Sequence, residues 1–266
     1  MISVAVAARI ATLSLNHPPV NAISSEWLDQ FHAHLDALAQ RTDWHVLHIR
    51  SDLKVFCAGA DLGQIHDRIG AADGPDQMLA YAAGIQRLYA RLEGLPQVTL
   101  VEINGAAMGG GLELALACDL RVVANEAKVG LPEVRLGLLP GAGGTQRLSR
   151  LCGRALATRI ILTAEILEGA SAVGLGIAHW AVPRRELPAR AAAIAQQVAA
   201  LPPAALAAAK NCLAASAEPG RGGYYDELEY TRKLLTDPQT RRRVEAFLTG
   251  TLEQTATLHK ETSHEA

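Results

Sequence analysis

Residues 103–120, INGAAMGGGLELALACDL, place three consecutive glycines and then Glu113 inside an otherwise apolar run. The segment VTLVEI at 98–103 has the composition of a strand, and the residues after the glycines predict a short helix. Glycine lets another group approach the backbone closely, and the first amides of a helix have no partner within it. The junction therefore predicts backbone N–H donors that face a ligand oxygen, and two such donors can stabilise an oxyanion.

Two nucleotide-binding motifs also begin with glycines, and neither fits this chain. A dinucleotide fingerprint needs a third glycine at a spacing that the stretch lacks, and a phosphate loop needs a lysine after its glycines. The second glycine cluster, PGAGGTQR at 140–147, fails both patterns as well. The oxyanion interpretation is therefore favoured.

Glu113 and Glu133 are the two acidic residues that their neighbours do not readily explain. Glu113, in the first turn of the predicted helix, could simply interact with the helix dipole. Glu133 lies between Pro132 and an apolar stretch, where an ion pair with Arg135 or Arg147 is the structural alternative. Two carboxyls with apolar flanks, each near a glycine-rich segment, are typical of acid–base chemistry on a small molecule. Spacing alone does not establish that the two side chains meet.

Strand-like and helical segments alternate along the first half of the chain, which predicts an α/β layered fold. After about residue 145 the pattern becomes mainly helical. A change of composition near residue 200 predicts two regions, an α/β core at 1–200 that carries the site and a helical region at 201–266. The segment KVFCAGADLGQI at 54–65 is predicted to be a loop. Helices are predicted at 24–40, 76–93, 186–200, 203–215, 224–235 and 239–252.

The composition is that of an ordinary globular protein without a strong charge. The 266 residues are 49% hydrophobic and 20% charged, and the formal net charge is −2. No strong attraction to nucleic acid or to an anionic membrane is expected, and no apolar segment is long enough to span a bilayer. Four scattered cysteines and the lack of a targeting pattern predict reduced thiols in a cytoplasmic protein. The histidine spacings predict no metal site.

Five stretches, in this order and spacing, resemble the enoyl-CoA hydratase/isomerase (crotonase) family: LNHPPVNAI, KVFCAGADL, INGAAMGGGLELALACDLRV, LPEVRLGLLPGAGGTQRLSRLCG and GLGIAHWAVP. The resemblance extends from residue 10 to about 215 and more loosely to the C-terminus. It implies a spiral of repeated β-β-α units and a C-terminal helical region that trimerises, as a homotrimer or a dimer of trimers. It also implies an acyl-CoA thioester substrate, with coenzyme A as part of the substrate and no separate cofactor.

The resemblance assigns roles to individual residues. The thioester oxygen would be held by the backbone amides of Ala60 and Gly110. Glu113 would activate water and Glu133 would deliver a proton to the α-carbon, since hydratases of the family carry Glu at both positions. The resemblance implies these substrate-binding residues: Ala58, Ala60, Asp61, Leu62, Gly63 and Gly110. It thus predicts an enoyl-CoA hydratase. The alternatives are a Δ3,Δ2-enoyl-CoA isomerase or another acyl-CoA enzyme of the crotonase family, and, in a different class, a non-catalytic CoA- or RNA-binding relative.

The chain departs from the family pattern at two places that concern the coenzyme. Gly63 and Gln64 stand where a lysine often approaches the coenzyme phosphates, which leaves Lys54 and Lys260 as candidates for that contact. A basic pattern that often follows the late phenylalanine is also missing after Phe247. Neither departure affects the residues assigned to the chemistry.

Overall fold

The computed structural model describes residues 1–216, 220 and 222–251. Its strands within these residues are β1 (Ile2–Ala7), β2 (Ile10–Leu15), β3 (Val46–Ser51), β4 (Val98–Ile103), β5 (Ala107–Met108), β6 (Leu120–Ala124), β7 (Lys128–Gly130), β8 (Ile166–Glu168) and β9 (Trp180–Val182). Its α-helices are α1 (Ser25–Ala39), α2 (Leu62–Ile69), α3 (Gly74–Glu93), α4 (Gly110–Leu116), α5 (Gly144–Cys152), α6 (Arg154–Leu162), α7 (Gly169–Gly174), α8 (Leu187–Ala199), α9 (Pro203–Ala215), α10 (Gly223–Leu235) and α11 (Pro238–Leu248). Short 3₁₀ helices occupy Glu133–Leu136 and Arg184–Glu186.

Six strands form the larger sheet, in the order β1-β2-β3-β4-β6-β9. β1 is antiparallel to β2, and the other neighbours run parallel. All residues of β4 are buried, as expected for a central parallel strand with both faces covered. β5, β7 and β8 form a second, three-stranded sheet. The predicted α/β layering is confirmed.

The chain repeats a strand–strand–helix unit between the two sheets. β4 joins the larger sheet, β5 joins the smaller one, and α4 follows; β6, β7 and α5 repeat this order, with a 3₁₀ helix before α5. Isolated parallel bridges join Ile23 to Ala60 and Cys57 to Ala107, which adds two earlier chain segments to the second layer. This is the β-β-α spiral that the resemblance implies.

Two element boundaries differ from the sequence prediction. The segment 54–65 was predicted to be a loop, but α2 begins at Leu62 because the Asp61 side chain accepts hydrogen bonds from the amides of Gly63 and Gln64 and caps the helix. The last predicted helix reached residue 252, which lies outside the described residues. α11 ends at Leu248, since Gly250 adopts a φ of +69° that terminates a helix.

Among the C-terminal helices, α9 packs on β4, α10 packs on α9, and α11 contacts α10. Lys210 of α9 donates to Asp119 at 2.8 Å, and Asp119 in turn accepts from the backbone and hydroxyl of Thr99 in β4. α10 and α11 bury no residue fully and expose large apolar side chains, among them Leu228 and Phe247. The region 201–266 is helical where it is described, and its role in oligomerisation stays a prediction.

No single helix in the described residues is long and apolar enough to cross a membrane. The pair Arg184–Ala199 and Pro203–Ala215 reaches the required length and hydropathy only jointly, across a bend of 103°.

Candidate active site

A cavity of about 610 Å³ lies between α2, α3, the start of α4 and the segment after β7. Most of its lining is apolar, with α3 contributing Met78, Ala82 and Ile85. Six of the residues predicted from the sequence line it: Ala58, Ala60, Leu62, Gly110, Glu113 and Glu133. Asp61 and Gly63 do not, because the Asp61 carboxylate caps α2 instead.

Glu113 lies in the first turn of α4, as predicted, and its side chain is almost completely buried. The backbone amides of Ala142 and Gly144 donate to its Oε1 atom at 2.9 and 2.7 Å. A Cβ atom on Gly144 would lie 2.9 Å from the same oxygen, so only glycine allows this close approach. One carboxyl oxygen is thus fixed by two amides, and the carboxyl borders the cavity.

Glu133 begins the 3₁₀ helix after β7 and reaches the same cavity. Its Oε1 atom lies 2.7 Å from the place where a Cβ on Gly109 would be. Its Oε2 atom is buried and has no hydrogen-bond partner among the described residues. Neither ion pair considered from the sequence forms there: Arg147 binds Glu93 at 2.6 Å, and Arg135 donates to the Ala164 carbonyl at 2.7 Å.

Burial changes the ionisation of both carboxyls. Burial raises the pKa of Glu113 to about 7; the amide of Gly144 opposes this, and the negative charge of Glu133 adds to it. Burial also raises the pKa of Glu133. The charge of an ionised carboxylate also disfavours ionisation of its neighbour. Two carboxyls with raised pKa values at one cavity are typical of acid–base chemistry.

The amides of Ala60 and Gly110 lie beside the two carboxyls. The Ala60 nitrogen is 3.5 Å from the Cβ position of Gly110, and the Gly110 nitrogen is 3.1 Å from that of Gly59. Neither amide donates to another described residue: the bridge with Ile23 uses Gly59 O and Asp61 N, and Gly110 is the first residue of α4. Two free backbone donors therefore meet at one wall of the cavity.

Sequence reasoning missed the residues that hold these groups in place. The cluster PGAGGTQR was compared only with phosphate-binding motifs, yet it supplies both amides that bind Glu113. Tyr89 of α3 donates to the Gly110 carbonyl at 2.7 Å, and no local pattern pointed to it. For the two amides that bind Glu113, the glycine-rich composition at 140–144 was the available signal. Glycine allows the backbone to approach a side chain as closely as it allows it to approach a ligand.

Lys54 and Cys57, which were also considered from the sequence, do not line the cavity. Lys54 is exposed, and Lys260 lies outside the described residues. Cys57 is fully buried and donates to the Asn21 carbonyl, and burial raises the pKa of its thiol to about 12. It is a packing residue and not a nucleophile.

Known proteins resemble the chain in sequence and in structure. The sequence profile of the enoyl-CoA hydratase/isomerase family matches residues 5–261. A probable enoyl-CoA hydratase of Bacillus subtilis (strain 168) is 40% identical over 66% of this chain and 67% of its own length. The 2,3-dehydroadipyl-CoA hydratase of Escherichia coli (strain K12) is 34% identical over 90% of this chain and 92% of its own. The crystal structure of an enoyl-CoA hydratase from Bacillus anthracis superimposes with a TM-score of 0.87 at 31% identity, covering 94% of this chain and 97% of that one. The chain belongs to the enoyl-CoA hydratase/isomerase family and has the crotonase fold.

Proposed function

We propose that the protein is an enoyl-CoA hydratase, which adds water across the double bond of a trans-2-enoyl-CoA to give a 3-hydroxyacyl-CoA. The observation that carries this proposal is the pair of buried carboxyls, Glu113 and Glu133, that border one cavity beside two free backbone amides. Hydration needs one group that takes a proton from water and another that gives a proton to carbon. The E. coli and B. subtilis relatives, named as hydratases, support the same reaction class.

In the proposed reaction the thioester carbonyl accepts hydrogen bonds from the amides of Ala60 and Gly110. Ionised Glu113 takes a proton from a water molecule as the oxygen of that water bonds to the β-carbon. The α,β π electrons move toward the thioester oxygen, whose developing negative charge the amides stabilise. Losing one such donor typically costs about 2.7–4 kcal/mol of transition-state stabilisation. Glu133 in its protonated form then gives its proton to the α-carbon, which completes the addition of one water. Proton exchange through water returns the proton held by Glu113 to Glu133, so both carboxyls are restored for the next turnover.

The unpartnered Glu133 Oε2 atom supports a catalytic role for Glu133, and the presence of the second buried carboxyl, Glu113, at the same cavity favours a hydratase over an isomerase that relies on one acid. A structural carboxyl in this position would normally have a hydrogen-bond partner, because an unsatisfied buried polar atom costs free energy. A catalytic carboxyl that exchanges its proton with substrate has its partner in the bound complex. For the same reason a non-catalytic CoA-binding role explains the two acids less well.

The test is an assay with a trans-2-enoyl-CoA that follows the loss of the absorbance of the conjugated thioester. Glu113→Gln and Glu133→Gln preserve side-chain shape, and each is expected to lower kcat by about 10²–10⁴-fold. Glu168→Gln is the control, because Glu168 is exposed and pairs with Lys128 at the surface. A wild-type protein that isomerises a 3-enoyl-CoA and hydrates no trans-2-enoyl-CoA would replace the hydratase proposal with the isomerase alternative.

A further inference from the structure

Arg147 in α5 is a buried cation, 9% exposed, that the proposed reaction does not use. Its Nη1 atom donates to the Ala142 carbonyl at 2.7 Å. Its Nε and Nη2 atoms donate to the two carboxylate oxygens of Glu93, the last residue of α3, at 2.9 and 2.6 Å. A planar guanidinium satisfies a carboxylate and a third acceptor at once, which an ammonium cannot do in this geometry.

The peptide segment that Arg147 holds is the one that binds Glu113. Ala142 accepts from Arg147 through its carbonyl and donates to Glu113 Oε1 through its amide. Gly144, the other donor to Glu113, follows after Gly143, whose φ is +102°. A Cβ on Gly143 would lie 2.2 Å from the Arg147 Nη1 atom. The guanidinium is therefore packed directly against the turn that presents both amides.

The same guanidinium also contacts Tyr89, the residue that holds Gly110 in place. It lies 5.8 Å from the ring centroid of Tyr89, one helical turn before Glu93 in α3. The Tyr89 hydroxyl donates to the carbonyl of Gly110, whose amide is one of the two free donors. One side chain thus connects the C-terminal end of α3 to the supports of Glu113 and Gly110.

We propose that Arg147 is a positioning residue that holds the turn at 142–144 so that its amides fix the Glu113 carboxyl in a reactive orientation, with Glu93 fixing Arg147. The inference rests on the proposed hydration. A purely structural ion pair would contribute stability and nothing to turnover. The contact with Ala142 distinguishes Arg147 from such a pair, because it joins the guanidinium to the peptide segment that binds Glu113.

Removing Arg147 also changes the charge around Glu113 in a known direction. The ionisable groups that face Glu113 are Glu133, Arg147 and Tyr89. The positive charge of Arg147 lowers the pKa of Glu113 against the larger effect of burial. Without that charge the pKa of Glu113 rises, so the base becomes ionised only at higher pH.

The experiment compares Arg147→Met with Arg147→Lys and with the control Arg91→Gln. Arg91 pairs with Asp36 at the same end of α3 and has no contact with the turn. For each folded variant, kcat and KM with a trans-2-enoyl-CoA are measured against pH. The titration of the Glu113 carboxyl is followed separately by ¹³C NMR, with Glu113→Gln used for assignment. If Arg147→Met does not fold, Arg147→Lys and Glu93→Gln are compared by kcat alone, since both keep the positive charge of residue 147. A lower kcat in both then supports the positioning role, and wild-type kcat in both overturns it.

Arg147→Met is expected to lower kcat by about 10- to 100-fold, since displacement of a catalytic group by about 1 Å can cost 10²-fold. KM changes little, and the acid limb of the pH profile and the Glu113 titration both move to higher pH. Arg147→Lys keeps the positive charge, so the acid limb of its pH profile stays at the wild-type pH, but its kcat recovers only partly. Arg91→Gln leaves kcat and the limb unchanged.

Wild-type kcat and an unchanged Glu113 titration in folded Arg147→Met would overturn the positioning role, even with a lower melting temperature. If the wild-type protein hydrates no 2-enoyl-CoA, the proposed function fails, and the NMR titration still decides the role of Arg147. A Glu113 titration at higher pH in Arg147→Met supports it, and an unchanged one overturns it.

Discussion

Gly109→Ala is expected to displace the Glu133 carboxyl while leaving both Glu113 and Glu133 unchanged in sequence. Gly109 has φ +51° and ψ −123°, a conformation that costs a residue with a Cβ about 1–3 kcal/mol. Its backbone is anchored on both sides, because its amide donates to Gly130 and its carbonyl accepts from Glu113. The added methyl would lie 2.7 Å from Glu133 Oε1 and 3.3 Å from the carboxyl carbon. The carboxyl must therefore yield by several tenths of an ångström.

The displacement of the Glu133 carboxyl is expected to lower kcat by a measurable factor. A misplacement on the order of 1 Å can cost 10²-fold, so kcat in the enoyl-CoA absorbance assay is expected to fall by about 10- to 100-fold. Gly137→Ala is the matched control, because Gly137 also has a positive φ, +72°, and a Cβ there would meet nothing within 4 Å. Both variants lose stability, by about 2–4 °C in Tm for each kcal/mol, but only Gly109→Ala loses turnover. Equal losses of kcat in the two variants, or wild-type kcat in Gly109→Ala, would refute the reasoning.

Three further outcomes are expected. Glu113, whose pKa burial raises to about 7, must be ionised to act as a base, so kcat/KM should fall as the pH drops below that value; a profile flat down to the ordinary carboxyl range contradicts this. Ala82→Trp fills part of the cavity in which the acyl chain is proposed to bind. It should lower kcat/KM for a ten-carbon enoyl-CoA by about 10-fold or more, at about 0.8 kcal/mol for each methylene left unburied, while a four-carbon substrate is unaffected. Equal effects on both substrates would place the acyl chain elsewhere. The exposed apolar faces of α10 and α11 should be covered in a trimer, and light scattering of an active monomer at micromolar concentration would contradict that.

Local sequence signals predicted the elements of this fold well where a short pattern decides the structure. The strand, glycines and helix around Glu113 are recognisable because β4 is mainly apolar and buried along its whole length, and Gly110 starts α4. The helix starting at Leu62 was missed although Asp61 is a good capping residue. A short helix that contains glycine gives little periodicity, and so the cap was the only usable signal.

The contacts that complete the candidate site could not be predicted in the same way. The amides that bind Glu113 come from residues 29 and 31 positions further along the chain, and Tyr89 approaches Gly110 from α3, 21 positions before it. Such pairs depend on how the spiral stacks one unit on the next, which no local pattern records. The choice of Glu93 rather than Glu133 as the partner of Arg147 depends on the same stacking.

The fixed Oε1 atom of Glu113 has a stereochemical consequence. With that oxygen held by two amides, only the other oxygen is free to bind the attacking water in the proposed hydration. The water molecule would then approach the planar double bond from one face, because the carboxyl cannot rotate to serve the opposite face without losing both amide bonds. The 3-hydroxyacyl product is accordingly expected to form as a single enantiomer, with the chirality of the new alcohol set by one glycine-rich turn of the backbone.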